Sequence, residues 1–280
     1  MNINTIKNFI INKPKNILKP EFFVRYIQFL SAFRLHSYQK LILEEFPTFS
    51  VHKVNYLSHK IYFQSEYRIS RFMRGFKHAG MRMWNRYEID EVLNGYTLKT
   101  LIDIGANIGE ISYYADARYG SNVSIYCIEP DIVAIECIKN NLINCKFNLF
   151  TSALSNEQSK SIFWLKPENS DSSLHKPDGK SIKYEVTTET LDNIFNQIDF
   201  SRPALLKMDV EGHEPEVLLG GRVTLQKLDF VSIDAGLERS GKHTSLEVAK
   251  ILADCGFDEV KISKNYIVTA SRSSLTSTLN

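Results

Sequence analysis

The spacing of apolar residues changes character along the chain. Over the first 85 residues the clearest period is helical. Between Glu21 and Leu35 apolar side chains fall at 23, 24, 27, 30 and 33, which places them on one face of a helix. From Tyr87 onward, short apolar runs alternate with helical periods. Tyr87 to Leu93 predicts a helix ended by Gly95, and Thr100 to Ile104 a strand. Glu110 to Tyr119 follows as a helix stopped by Gly120, then Val123 to Ile128 as a strand. Asp131 to Asn144 is a helix with apolar residues at 132, 135, 138 and 142, and Phe147 to Phe150 a third strand. Ser161 to Leu165 and Ile182 to Val186 predict a β-hairpin inserted in the domain. Leu191 to Ile198 returns to helix, Ala204 to Met208 to a buried strand, Pro215 to Leu219 to helix and Phe230 to Ile233 to strand. Leu246 to Cys255 is a helix closed by Gly256, and Glu259 to Ile262 with Tyr266 to Ala270 predicts two antiparallel strands. Strands alternating with helices predict an α/β fold, a parallel sheet covered on both faces. The expected organisation is a helical N-terminal extension over 1–85, a main domain over 86–270 and a frayed Ser/Thr-rich tail over 271–280.

Composition adds boundaries to this picture. The chain has 280 residues, 43% apolar and 24% charged, enough for one sizeable domain with an extension and unlike a disordered or polytopic membrane chain. The longest uncharged run in the apolar front segment, Tyr26 to Phe33, is eight residues, far short of the roughly 20 that span a bilayer. No small-residue cleavage site follows, so no signal peptide is expected. The four cysteines show no CxxC pairing and read as reduced structural thiols of a cytoplasmic protein. The net charge of +2 conceals an asymmetry: residues 1–100 carry +9 and residues 101–280 carry −7. A solvated basic surface is the plain reading. An anionic partner, contact with a membrane surface or attraction between the halves are the functional ones.

Three motifs carry chemistry. Thr100 to Gly109 reads TLIDIGANIG, a buried strand running into Gly105, Ala106, Asn107 and Gly109 and then a helix. Glycine there permits a tight turn and close approach of a ligand to the main chain, and the helix start offers unpaired N–H groups. A dinucleotide fingerprint would place glycine where Asn107 stands, so a pyrophosphate is disfavoured. A ligand joining an amino acid to a nucleoside, S-adenosylmethionine, fits better, with Asp103 receiving its ammonium directly or through water. Glu129 ends the second strand, where an acidic residue accepts from both ribose hydroxyls.

The third motif is LKMDVEGHEPE, residues 206–216. A buried strand delivers Asp209 to the carboxyl edge of the sheet, and Glu211 and His213 follow in the turn. Ligands of open α/β sheets sit outside that edge. These groups can bind a hydroxyl substrate and remove its proton, with His213 titrating near 6–7 as the expected base and Asp209 or Glu211 orienting it or acting instead. Metal-ligand spacing is absent, and no metal is expected, although clustered carboxylates leave a divalent ion as a minor reading.

DIGANIG (103–109), Glu129-Pro130, Ser152-Ala153-Leu154 and KMDVEGHEPEVLLGG (207–221) together resemble the FkbM-type family of S-adenosylmethionine-dependent methyltransferases. The resemblance covers roughly residues 86–270. It implies the class I methyltransferase fold, a Rossmann-like seven-stranded sheet whose last strand is antiparallel. It also implies methyl transfer, commonly to a hydroxyl of a sugar, glycan or natural product. By position, Gly105 to Gly109 would hold the amino-acid part of the cofactor, Glu129 its ribose, and Ser152 and Ala153 would lie near the adenine. Asp209 and Glu211 would face the methyl group and acceptor. His213 stands where the family often has a small residue. The alternative is a nucleotide-binding module without catalysis. A nicotinamide oxidoreductase is opposed by Asn107. No base-stacking motif points to nucleic acid, so the expected partner is a small-molecule or glycan acceptor.

Overall fold

The computed structural model describes residues 38–45, 50–56, 59–64, 68, 71–72, 74–166, 172–175, 181–239 and 241–273. The helix expected within Glu21 to Leu35 and most of the C-terminal tail lie outside them. The described chain opens with strands β1 (Tyr38–Glu45), β2 (Ser50–Tyr56) and β3 (His59–Phe63), paired as an antiparallel meander. This corrects the expectation of a helical extension for Tyr38–Glu45, Ser50–Tyr56 and His59–Phe63. The segment is dense in β-branched and aromatic residues, such as Val51, Val54, Ile61 and Phe63, which suit a pleated surface. The helical period was read only farther upstream.

Helix α1 (Phe76–Arg86) presents Phe76, Ala79, Gly80 and Trp84 inward, an i, i+3, i+4, i+8 stripe. A short α2 (Ile89–Leu93) follows. Trp84 and Tyr87 are fully buried with Ile111 and Ala115 of α3 (Glu110–Tyr119). An aromatic ladder of Phe63, Phe72, Phe76 and Tyr113, with centroids 5.2, 6.1 and 5.1 Å apart, continues this packing from β3 to α3. Phe63, Phe72 and Phe76 of the front segment thus bury their rings against the main domain.

The central sheet holds β4 (Thr100–Ile104), β5 (Ser124–Ile128), β6 (Phe147–Phe150), β10 (Ala204–Met208), β11 (Phe230–Asp234), β12 (Glu259–Ile262) and β13 (Ile267–Ser271). Its order is β12-β13-β11-β10-β4-β5-β6. β6, β5, β4, β10 and β11 run parallel, and β13 is antiparallel to both β11 and β12. This is the seven-stranded sheet expected from the resemblance. β4, β10 and β11 are buried along their whole length, as parallel strands covered on both faces must be. Helices α4 (Ile132–Asn141), α5 (Leu191–Phe195), α6 (Glu214–Leu219), α7 (Arg222–Gln226) and α8 (Ser245–Asp254) complete the layers. The expected hairpin is present as β8 (Lys160–Leu165) and β9 (Ile182–Glu189). With the two-residue β7 (Ala153–Leu154) it forms a separate small sheet.

From β4 the chain steps outward to β5 and β6 on one side, then returns to β10 and β11 on the other. The carboxyl ends of β4 and β10 therefore flank the switch point where open α/β sheets bind ligands. No helix among the described residues is long and apolar enough to cross a membrane.

Candidate active site

The turn after β4 and the turn after β10 are clasped together. Asp209 N–H donates to Ile104 O at 3.0 Å. A Cβ on Gly105, at φ +65°, would stand 1.8 Å from the Asp209 carbonyl oxygen. Glycine serves the tight turn expected of it, and the backbone of Asp209 pressing on it adds a reason that the sequence did not show. Asn107 also has positive φ (53°). Its N–H donates to Glu129 Oε2 at 2.7 Å, and its side-chain oxygen accepts from Arg68 Nη1 at 3.0 Å.

Glu129 sits at the end of β5, buried, and its Oε1 accepts from Asp131 N–H at 2.9 Å. Burial, with the Asp131 charge beside it, pushes its carboxyl up to about 8. Asp131 caps α4 by accepting from Val133 and Ala134 N–H. Pro130 precedes that cap.

Beneath the loop lies a buried charge pair. Asp103 Oδ1 is 3.1 Å from Lys207 Nζ, both side chains at most 4% exposed, and Oδ2 accepts from Ser112 Oγ at 2.8 Å. Lys207 also donates to the carbonyls of Ile104 (3.2 Å) and Gly105 (2.9 Å). Asp103 was expected to receive an ammonium directly or through water; the groups that face it here are Lys207 Nζ and Ser112 Oγ, and through them it braces the turn from below.

Asp209 reaches the cavity from the end of β10. Its Oδ2 accepts from the hydroxyl of fully buried Tyr87 at 2.5 Å. Burial, then the Asp209 charge, raises the Tyr87 phenol well above its usual value. Next to it, Asp234 pairs with Arg86 at 2.5 Å. Burial and Asp209 push Asp234 up to about 6. Glu211, at φ +54°, turns the chain, and its carbonyl accepts from Ser173 Oγ at 3.1 Å.

His213 lines the same cavity as Asp209 and Glu211, as expected, but its ring contacts are with other residues. Nε2 is 3.1 Å from Ser155 Oγ and Nδ1 is 3.3 Å from His175 Nε2, with Glu216 at 3.7 Å. Burial lowers its pKa to about 4; Glu216 opposes that shift, and His175 and Arg239 add to it. The anticipated titration near 6–7 is thereby corrected downward. Carboxylates would raise the value, but desolvation dominates. Glu214, one residue on, is structural: it accepts from Gly212 N–H at 2.8 Å and Thr244 Oγ1 at 2.7 Å.

One cavity of about 360 Å³ joins these groups, a size suited to a small-molecule ligand. Asp103, Gly105, Ala106, Asn107, Glu129, Ser152, Ala153, Asp209, Glu211 and His213 all line it. Gly109 stands just behind, as the N-cap of α3. Among the described residues no group of three or more His, Cys, Asp or Glu is arranged to hold a metal ion. Sequence reasoning missed Arg68, Tyr87, Glu110, Ser155, His175 and Asp234 as wall residues or partners of the site. Lys207 carried a signal: a lysine inside the apolar strand ALLKM has to find buried anions.

The order of the sheet, its antiparallel last strand and a cavity over a glycine turn at the switch point define a class I methyltransferase. The Methyltransferase FkbM domain model matches residues 103–259, more than half of the chain, and the protein belongs to that family. A relative is the 2-O-methyltransferase NoeI of Sinorhizobium fredii (strain NBRC 101917 / NGR234), 28% identical over 154 residues, 47% of this chain and 60% of that protein. The chain thus matches less than two thirds of this relative's length. Among solved structures, similarity extends to the precorrin-6y C5,15-methyltransferase of Geobacter metallireducens GS-15 (TM-score 0.41, 15% identity, 67% of this chain and 89% of that one). It extends also to a SAM-dependent methyltransferase of Aquifex aeolicus (TM-score 0.36, 17% identity, 65% and 86%).

Proposed function

We propose that the protein transfers a methyl group from S-adenosylmethionine to a hydroxyl oxygen of a sugar, glycan or natural-product acceptor. The observation that carries this is the single cavity in which the Gly105 turn, Glu129 and Asp209 meet at the switch point. The residues fit the cofactor. The turn is open to a ligand, Glu129 is an acidic group at the end of β5, and the cavity contains acids without an excess of phosphate-binding donors. Glu129 would hold the ribose, Ser152 and Ala153 the adenine, and the turn from Gly105 to Gly109 the amino-acid part. When bound, S-adenosylmethionine supplies a methyl group already activated by its sulfonium. The relative's name, a 2-O-methyltransferase, supports oxygen as the acceptor atom.

The chain's own residues then have to hold and deprotonate the acceptor. Tyr87 occupies Asp209 Oδ2, which orients the carboxylate and leaves Oδ1 for an acceptor hydroxyl. His213 is neutral at pH 7, because its pKa lies near 4. Both of its ring nitrogens are engaged, by Ser155 and His175, which suits positioning, and Asp209 takes the role of base because it enters the cavity from the end of β10. Glu211 lines the acceptor side of the same cavity.

The test is incubation with deuterated-methyl cofactor and a panel of polyhydroxyl acceptors, followed by mass spectrometry of the products. The proposal requires a labelled ether and one S-adenosylhomocysteine per transfer. Labelled nitrogen or carbon products would redirect the acceptor class. Cofactor binding without any product would leave a binding module.

A further inference from the structure

The end of the cavity between the Gly105 turn and α1 holds a charged pair that none of the roles above uses. Glu110, the first residue of α3, is 5% exposed and lines the cavity. Its Oε1 accepts no hydrogen bond among the described residues. The charge facing it is Arg71 Nη2 at 3.4 Å, an ion-pair distance without hydrogen-bond geometry. The same nitrogen contacts Met83 Sδ at 3.0 Å, and the Arg71 side chain, 30% exposed, lines the same wall. A buried carboxylate oxygen without a donor is costly, so this one is built for a partner. Asp103 Oδ1 likewise accepts no hydrogen bond among the described residues, but it lies 3.1 Å from the buried Lys207 ammonium. Asp103 is held by Lys207 and Ser112, and Lys207 by Asp103 and two carbonyls.

An α-amino acid presents an ammonium and a carboxylate on one carbon, the complement of a loosely joined Glu–Arg pair. We infer that Arg71 and Glu110 clamp the amino-acid end of S-adenosylmethionine. Glu110 accepts from the α-ammonium and Arg71 donates to the α-carboxylate. The inference rests on the methyltransferase reading above. It makes the segment ahead of residue 103, outside the family match, part of the cofactor site.

The experiment is calorimetric titration of the full chain with S-adenosylmethionine, its decarboxylated analogue and 5′-methylthioadenosine, which lacks both charged groups. A charge-assisted bond predicts that the wild type prefers the cofactor over the decarboxylated analogue by about tenfold or more. Arg71→Gln should erase that preference and leave methylthioadenosine affinity within about twofold, with Arg71→Lys recovering part of the loss. Glu110→Gln should weaken both ammonium-bearing ligands and spare methylthioadenosine. The clamp is overturned if the wild type does not discriminate the carboxylate, or if Arg71→Gln weakens all three ligands alike. Discrimination by the wild type needs no variant to fold. A wild type that binds none of the three overturns the methyltransferase reading itself, and the clamp with it.

Discussion

Replacing Gly105 by alanine tests whether the two signature turns are one mechanical unit. The added Cβ would lie 1.8 Å from the Asp209 carbonyl oxygen and 2.9 Å from its carbon. Both belong to backbone that cannot rotate away. Alanine at φ +65° costs about 1–2 kcal/mol by itself. Forcing apart two packed segments adds about 1–3 kcal/mol. The total, about 2–5 kcal/mol, corresponds to a fall in Tm of roughly 4–20 °C at this chain size. Gly109→Ala is the internal control. It also has positive φ (+85°), but its Cβ would meet the side-chain end of Leu142 at 3.1 Å, which can shift. Its cost should stay near the conformational term, about 1–2 kcal/mol. Urea unfolding of the pair, with an unchanged m-value, measures the difference. Gly105→Ala should also displace Asp209 and so lose more methyl transfer than Gly109→Ala at saturating cofactor. Equal destabilisation by the two substitutions would refute the argument that Asp209 backbone dictates the glycine.

Four further outcomes are expected. Asp209→Asn should slow transfer by about 10²–10⁴, whereas His213→Gln should cost less than about tenfold and leave the rate level between pH 6 and 7, because the His213 pKa near 4 puts its ionisation below that range; a wild-type rate rising through pH 6–7 that His213→Gln flattens would restore the histidine as base. For Glu129, the folded pKa of about 8 exceeds the ordinary 4.5, so its contribution to stability is present below 4.5 and lost as pH rises through 8; Glu129→Gln should flatten that slope in denaturation curves and weaken cofactor binding by about 0.5–1.5 kcal/mol, the range for a neutral group. His213 acts with the opposite sign: its pKa is lowered from 6.5 to about 4, so stability falls as pH drops through that window. Asn141→Ala removes a bridge in which Oδ1 accepts from Tyr62 N–H at 2.8 Å and Nδ2 donates to Tyr62 O and Ile108 O at 2.9 Å each; leaving these groups unpaired should cost about 1–3 kcal/mol, and proteolysis should then cut first near β3.

Much of the domain beyond residue 100 was legible because its strands are short, apolar and separated by glycine or by helical periods. TLIDI and ALLKM could be read as buried strands, and the turns after them as lying at the carboxyl edge of the sheet. Its electrostatics were less legible. Asp103 looks like a free acid at a strand end until Lys207, from β10, is set 3.1 Å away. His213 looks surrounded by carboxylates in sequence, yet Ser155 and His175 come from the hairpin region and bury it. Tyr87 lies 122 residues from the Asp209 it orients, a pairing no local pattern reveals. The charge of the front segment was hard to place for a related reason. Its charge excess suggested a surface, but Arg68, Arg71 and Arg86 turn toward Asn107, Glu110 and Asp234. Attraction between the halves is the reading these contacts support, and a truncation at residue 86 should therefore weaken cofactor binding as well as change acceptor choice.

The central claim is that one cavity at the carboxyl edge of β4, β5 and β10 holds the cofactor with its sulfur turned toward Asp209. A crystal structure of the full chain with S-adenosylhomocysteine measures this directly. The account predicts both ribose hydroxyls on Glu129, the adenine beside Ser152 and Ala153, and the sulfur facing the side of the cavity lined by Asp209, Glu211 and His213. A nucleoside bound elsewhere, or seated here with its sulfur turned away from Asp209, would contradict it.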